Sequence, residues 1–121
     1  MKYVDGYILP VPKKNIKAYK KMAMEAGKVW KKHGALQYFE CAGDDLNPKF
    51  AMVRFPKILN AKPNETVVFA FVIFKSRAHR DSVNAKVMKD PVMNDPKYKN
   101  MPMPFDMKHM VYGGFSSIVS L

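Results

Sequence analysis

A chain of 121 residues with 48% hydrophobic and 26% charged positions carries enough apolar material for one core and too much for a disordered segment. Its lone cysteine, Cys41, leaves no internal disulfide framework, and its longest apolar run, Val67 to Phe74, is far short of the roughly 20 residues a membrane helix needs. The net charge of +11 rests on lysine, with Arg54, Arg77 and Arg80 as the arginines. Lysine is the usual solvating charge, whereas arginine suits bidentate phosphate recognition, so composition favours a solubilised surface over a nucleic-acid face.

From Lys2 to Val11 the pattern reads as a strand, with Tyr3, Asp5, Tyr7, Leu9 and Val11 on one side and Val4 and Ile8 on the other. Pro10 and Pro12 are expected to end it. Lys2 and Asp5 interrupt this run, which therefore lacks the plan of a secretory signal; a reduced, cytoplasmic setting is expected. A helix follows over about Lys14 to His33. Ile16, Tyr19, Met22, Ala23, Ala26, Val29, Trp30 and His33 share one face, and Lys13, Lys14, Lys17, Lys20, Lys21, Lys28, Lys31 and Lys32 share the other. Met24, among those lysines, is the exception. Gly34 suits a left-handed helix end.

Ala35 to Ala42 reads as a second strand, and Gly43-Asp44-Asp45 with Asn47-Pro48 as a turn. Phe50 to Leu59, broken by Arg54 and Pro56, reads as an irregular connection with room for a short strand. Val67 to Phe74, rich in Val and Phe, is expected to be buried on both faces. Ser76 caps a second helix to about Lys89. After a proline-studded, Met-rich stretch, Lys108 to Leu121 reads as a last strand bulged at Gly113-Gly114.

The order β-α-β-(irregular)-β-α-β is that of an α+β, ferredoxin-like split βαβ sandwich, an antiparallel sheet with two helices on one face. One domain over residues 1–121 is expected. Two helices cover one face of such a sheet, yet Val67–Phe74 is apolar on both. No segment is left over to cover the other face, so pairing with a second copy, sheet to sheet, is the economical expectation.

Tyr3-Val4-Asp5-Gly6-Tyr7 through Pro10-Val11-Pro12, Gly43-Asp44-Asp45, and Lys75-Ser76-Arg77-Ala78-His79-Arg80-Asp81 carry a further resemblance, as do Val83-Asn84-Ala85-Lys86-Val87-Met88, Met103-Pro104-Phe105-Asp106 and Tyr112-Gly113-Gly114-Phe115. Over its whole length the chain resembles the YbaA-like family of uncharacterised bacterial proteins. The resemblance implies a homodimeric α/β barrel, in which two ferredoxin-like subunits join their sheets. It implies no established activity and assigns no catalytic residue. Cofactor-independent monooxygenases, haem-degrading enzymes, isomerases and ligand-sensing modules share that superfamily's architecture, so fold analogy sets only the range of choices.

Among chemistry-bearing residues, Asp5 stands out. A carboxylate on a central strand must find a partner or shift its pKa, and on the family's fold His109, Tyr112 or a lysine would lie beside it. The second helix brings Arg80 and Asn84 next to Val87, as a cavity-lining helix does, although surface ion pairs of Arg80 and Asp81 are the commoner use. His33, at the end of the first helix, suits a capping role better than a general base. His33, His79, His109 and Cys41 show no metal-ligand spacing, and no glycine-rich phosphate loop opens a helix; neither metal nor cofactor is expected. Gly6 and Gly113-Gly114 leave room on neighbouring strands, and Met101, Met103, Met107 and Met110 offer an adaptable lining or plain core.

The candidate ligand-binding set is therefore Asp5, Tyr7, Trp30, His33, His79 and Asn84, about a pocket between sheet and helices. Three functions compete. One is a cofactor-free oxygenase or isomerase-like enzyme acting on an activated substrate. The second is a non-catalytic ligand-binding or stress-related module. The third is a basic surface docking nucleic acid or another acidic partner.

Overall fold

The computed structural model describes residues 1–99 and 101–121. Its elements are β1 (Tyr3–Pro12), α1 (Ile16–Lys32), β2 (Gln37–Ala42), α2 (Phe55–Ile58), β3 (Glu65–Phe74), α3 (Arg77–Met88) and β4 (Val111–Ser116), with 3₁₀ turns at Lys13–Asn15, Pro96–Tyr98 and Met107–His109. The strands form one antiparallel sheet in the order β2-β3-β1-β4, the connectivity of a split βαβ unit.

Alternation along the strands sorts the sheet's two faces. Leu9 and Val11 of β1 with Val68 and Ala70 of β3 pack against Tyr19 and Ala23 of α1. Val72 and Phe74 of β3 pack with Val29 of α1 and Val83 and Val87 of α3. Both longer helices thus lie on one face. Each side chain so buried contributes about 1.5–3 kcal/mol relative to exposure. The helix ends are locked locally. At the end of α1, Gly34 has φ +114°, its N–H bonds to Lys31 O, and the Ala35 N–H bonds to Trp30 O. That pair of bonds caps the final turn and needs a residue tolerant of positive φ. The Ser76 hydroxyl accepts from the His79 N–H at 3.0 Å to open α3.

Four expectations are corrected. Pro12 is the last residue of β1, as expected, but Pro10 does not end it: the strand runs through Pro10, pairing with β3 as far as Glu65, while β4 reaches only to Ile8. Beyond Ile8 that side of β1 is an edge, where a residue without an N–H is tolerated. The Phe50–Leu59 connection holds the helix α2, started with Pro56 in its first turn, and no strand. The last strand is shorter than Lys108–Leu121, because Asp106 caps a 3₁₀ turn at Met107–His109 before it and pairing stops at Ser116. There is no bulge at Gly113-Gly114: Gly113 pairs with Gly6 and Gly114 with Asp5 in unbroken register.

The face turned away from α1 and α3 is aromatic. Phe39 stacks on Phe71 with centroids 4.8 Å apart, and Phe69 meets Phe71 at 5.8 Å. The short helix α2 gives this face a partial cover that the sequence reading did not foresee, Phe55 meeting Phe69 edge-on at 6.4 Å. Phe39, Phe69, Val111 and Phe115 nevertheless remain 43%, 44%, 47% and 62% exposed.

Candidate functional site

Two polar assemblies occupy the helical face. The first is built on Asp5, near the start of the inner strand β1 and fully buried. Its position opposite Gly114 of β4 and Val72 of β3 points its side chain at α3. Arg80 Nη1 donates to Asp5 Oδ1 at 2.8 Å, the Tyr112 hydroxyl donates to the same oxygen at 3.2 Å, and Asn84 Nδ2 donates to Oδ2 at 3.4 Å. Asn84 in turn accepts from Trp30 Nε1 at 3.1 Å. Arg80 lies over the Tyr3 ring at 4.9 Å, and its Nε donates to Asp81 at 2.8 Å. Arg80 and Asn84 reach the same carboxylate because they sit four residues apart on one face of α3.

Tyr7 stands beside this group, its ring 4.9 Å from that of Tyr112. Burial, and then the Asp5 carboxylate, pushes the Tyr7 phenol well above its usual range, so it stays protonated. Among the described residues no buried side-chain nitrogen or oxygen lacks a partner. The Asp5 assembly is therefore closed on itself, and its work is to clamp α3, β4 and α1 to the middle of the sheet.

The second assembly faces open space. Between α1 and the β2 side of the sheet lies a cleft of about 540 Å³, lined by Ile16, Tyr19, Ala23, Met24 and Gly27 of α1 and by Tyr38, Glu40, Ala42 and Val68 of the sheet, with Lys20, Lys28 and Lys31 at its rim. Glu40 is its one carboxylate. The Tyr19 hydroxyl donates to Oε1 and the Tyr38 hydroxyl to Oε2, each at 2.6 Å. Burial first, reinforced by Glu40, pushes both phenols far above their usual range, which keeps them donors. Each Glu40 oxygen retains a second lone pair.

Gly27 makes this arrangement possible. A Cβ there would fall 2.7 Å from the Tyr38 ring, so glycine lets the tyrosine lie against the helix. Met24, the apolar exception in the lysine arc of α1, is explained by the cleft it lines.

The sequence-predicted site residues thus separate. Asp5, Asn84 and Trp30 form one bonded chain with Tyr7 alongside. His33 caps α1, its Nε2 2.7 Å from Asp90 Oδ2, and Asp90 is held down to about 2 by the Val92 N–H and then by His33. His79 accepts the Lys75 N–H at Nδ1 and packs edge-on against Phe74. None of the six lines the cleft. Arg80 makes the expected pair with the exposed Asp81 and also turns inward to Asp5. Of the three partners foreseen for Asp5, Tyr112 is one, whereas His109 pairs with Asp106 at 2.9 Å.

Tyr19, Tyr38 and Glu40 were missed. Their signal was a lone acid, Glu40, in β2 on the same face as Tyr38. No cluster of three or more His, Cys, Asp or Glu side chains suited to a metal occurs among the described residues, and no helix among them is long and apolar enough to cross a membrane.

Comparison with known proteins agrees with this geometry at the level of fold. A family model described as "Protein of unknown function (DUF1428)" matches residues 2–107. The chain is 42% identical over 119 residues to the uncharacterized protein YbaA of Escherichia coli strain K12, covering 98% of each chain, and is equally similar to YbaA of Shigella flexneri. Among solved structures it is similar to a mutant of SnoaB, a cofactor-independent oxygenase from Streptomyces nogalater, at TM-score 0.58 and 12% identity over 99% of this chain and 96% of that one. A de novo designed protein, Foldit4, matches at TM-score 0.50 and 8% identity over 97% and 99% of the two chains.

Proposed function

The chain belongs to the DUF1428 family, and from that premise we propose that it is a homodimeric small-molecule-binding protein whose α1–β2 cleft carries out oxygenation without a cofactor. The observation that carries the reading is the open cleft of about 540 Å³ with Glu40 poised between two phenol donors. That volume lies within the range of small-molecule sites. The fold shared with SnoaB, titled a cofactor-independent oxygenase, supports the choice of reaction.

In this reading Glu40 takes a proton from a methylene acidified by a neighbouring carbonyl. The electron pair left on the substrate reduces dioxygen, one oxygen atom remains as a new carbonyl, and the other departs as water with the two hydrogens of the methylene. Once Glu40 has taken the proton, the single O–H of Tyr19 or Tyr38 would turn from it to the developing enolate oxygen. The aromatic sheet face supports the dimer, since an exposed patch of Phe39, Phe69 and Phe115 around the half-buried Phe71 is costly to leave in water.

The test is oxygen uptake with an activated 1,3-dicarbonyl substrate, compared between the native chain and Glu40→Gln. Uptake that Glu40→Gln reduces at least a hundredfold supports the reading; no uptake with any such substrate refutes the oxygenase. A second reading, a non-catalytic ligand-binding module, is favoured by one observation: both Glu40 oxygens already accept a tyrosine hydroxyl. Ligand binding without oxygen uptake would decide for it.

A further inference from the structure

We infer that the ligand of the α1–β2 cleft is a chain-shaped carboxylate, an elongated apolar body with one anionic end. This rests on the cleft being a ligand site. Its lining follows a single stripe of α1 from Ile16 through Tyr19, Ala23, Met24 and Gly27 to Lys31, and the helix rises about 22 Å between Ile16 and Lys31. A groove of that length suits a chain better than a compact ring. Its walls are apolar wherever Ile16, Ala23, Met24, Ala42 and Val68 meet it.

The charges at the cleft are unbalanced in one direction. Glu40, its one acid, is compensated internally by Tyr19 and Tyr38. Lys31 Nζ is committed to the Leu36 carbonyl at 2.7 Å. Lys20 and Lys28 pair with no carboxylate among the described residues, and they flank Met24 on the same stripe. Two uncommitted ammonium groups at the border of an apolar groove call for an anion tethered to an apolar chain. A neutral ligand would leave them unused, and a small polar anion would leave the groove empty.

Trp30 is the chain's one tryptophan, and its ring centroid lies 6.1 Å from that of Tyr38 in the cleft wall, so its fluorescence reports occupancy. The experiment titrates decanoate, and decanol as its neutral counterpart, into the native chain, into Lys20→Met/Lys28→Met, into Lys17→Met as an off-cleft control and into Ala42→Phe, which narrows the groove. Expected are decanoate binding at least tenfold tighter than decanol, a tenfold loss confined to decanoate in the double variant, no change in Lys17→Met, and loss of both ligands in Ala42→Phe. Equal affinities for the two probes, or decanoate binding indifferent to the double variant, would overturn the anionic assignment while leaving the cleft as a site. Failure of both probes to bind, or binding that Ala42→Phe does not alter, would remove the site itself.

Discussion

Replacing Asp5 by Asn keeps the shape of the buried side chain and removes its charge. In the native protein that charge receives Arg80 at 2.8 Å, Tyr112 at 3.2 Å and Asn84 at 3.4 Å, with the Arg80 side chain 12% exposed. Removing one partner of a buried pair costs about 3–5 kcal/mol because the other charge is left uncompensated. The amide retains one acceptor, and Asp81 still holds Arg80 Nε, so the cost falls to about 3 kcal/mol. For a domain of this size that lowers Tm by roughly 10 °C. Thermal and urea unfolding followed by circular dichroism at one fixed protein concentration measures it. A companion cycle with Arg80→Met isolates the pair: the double variant should lose about 1–3 kcal/mol less than the sum of the singles. An Asp5→Asn protein within about 0.5 kcal/mol of the native one, or strictly additive variants, would refute the clamp.

Gly27→Ala should push Tyr38 off the helix, since its Cβ would meet the ring at 2.7 Å; the chain should lose about 1–3 kcal/mol despite alanine's better helix propensity, and decanoate binding should weaken in the Trp30 titration. Phe71→Asp places a charge in the middle of the aromatic face and should convert a dimer into a monomer by light scattering, whereas a native chain already monomeric at micromolar concentration would contradict the pairing. Asp90 is held down to about 2 in the folded chain against 3.8 as its ordinary value. A depressed carboxylate stabilises the fold above its unfolded pKa and loses that contribution as pH falls through the folded value. The Tm advantage of the native chain over Asp90→Asn should therefore be full at pH 5, shrink below pH 4 and vanish near pH 2.

The fold was legible because its signals are local and periodic. The lysine face of α1, the Ser76 cap, the Gly34 stop and the apolar run Val67–Phe74 of β3 each name their element without reference to the rest. Where an expectation failed, the deciding fact lay elsewhere in the chain. Pro10 was read as a breaker because the short reach of β4, which leaves it at an edge, depends on where residue 111 begins to pair. The candidate site was half legible for the same reason. Asp5 could be singled out as a problem, but its solution through Arg80 and Asn84 depends on the distance of α3 from the sheet. Tyr19, Tyr38 and Glu40 lie on two different elements, and what joins them is the narrow gap at Gly27. One clue was present and unused: Met24 among the lysines was marking the wall of a groove.

The register of β1 also governs the order in which the molecule can be made. Tyr3 pairs with Phe74 on one side and with Ser116 on the other, so the first strand to leave a ribosome completes its pairing only with the last. Asp5 has none of its partners until α3 supplies Arg80 and Asn84, and it lacks Tyr112 until β4 follows, so a solvated carboxylate at first opposes the burial of the strand that carries it. Contacts this distant in sequence slow folding. The pairing of β4 with β1 is accordingly the last part of the sheet that can set, and a chain stalled before β4 emerges should leave that side of β1 open and sensitive to protease.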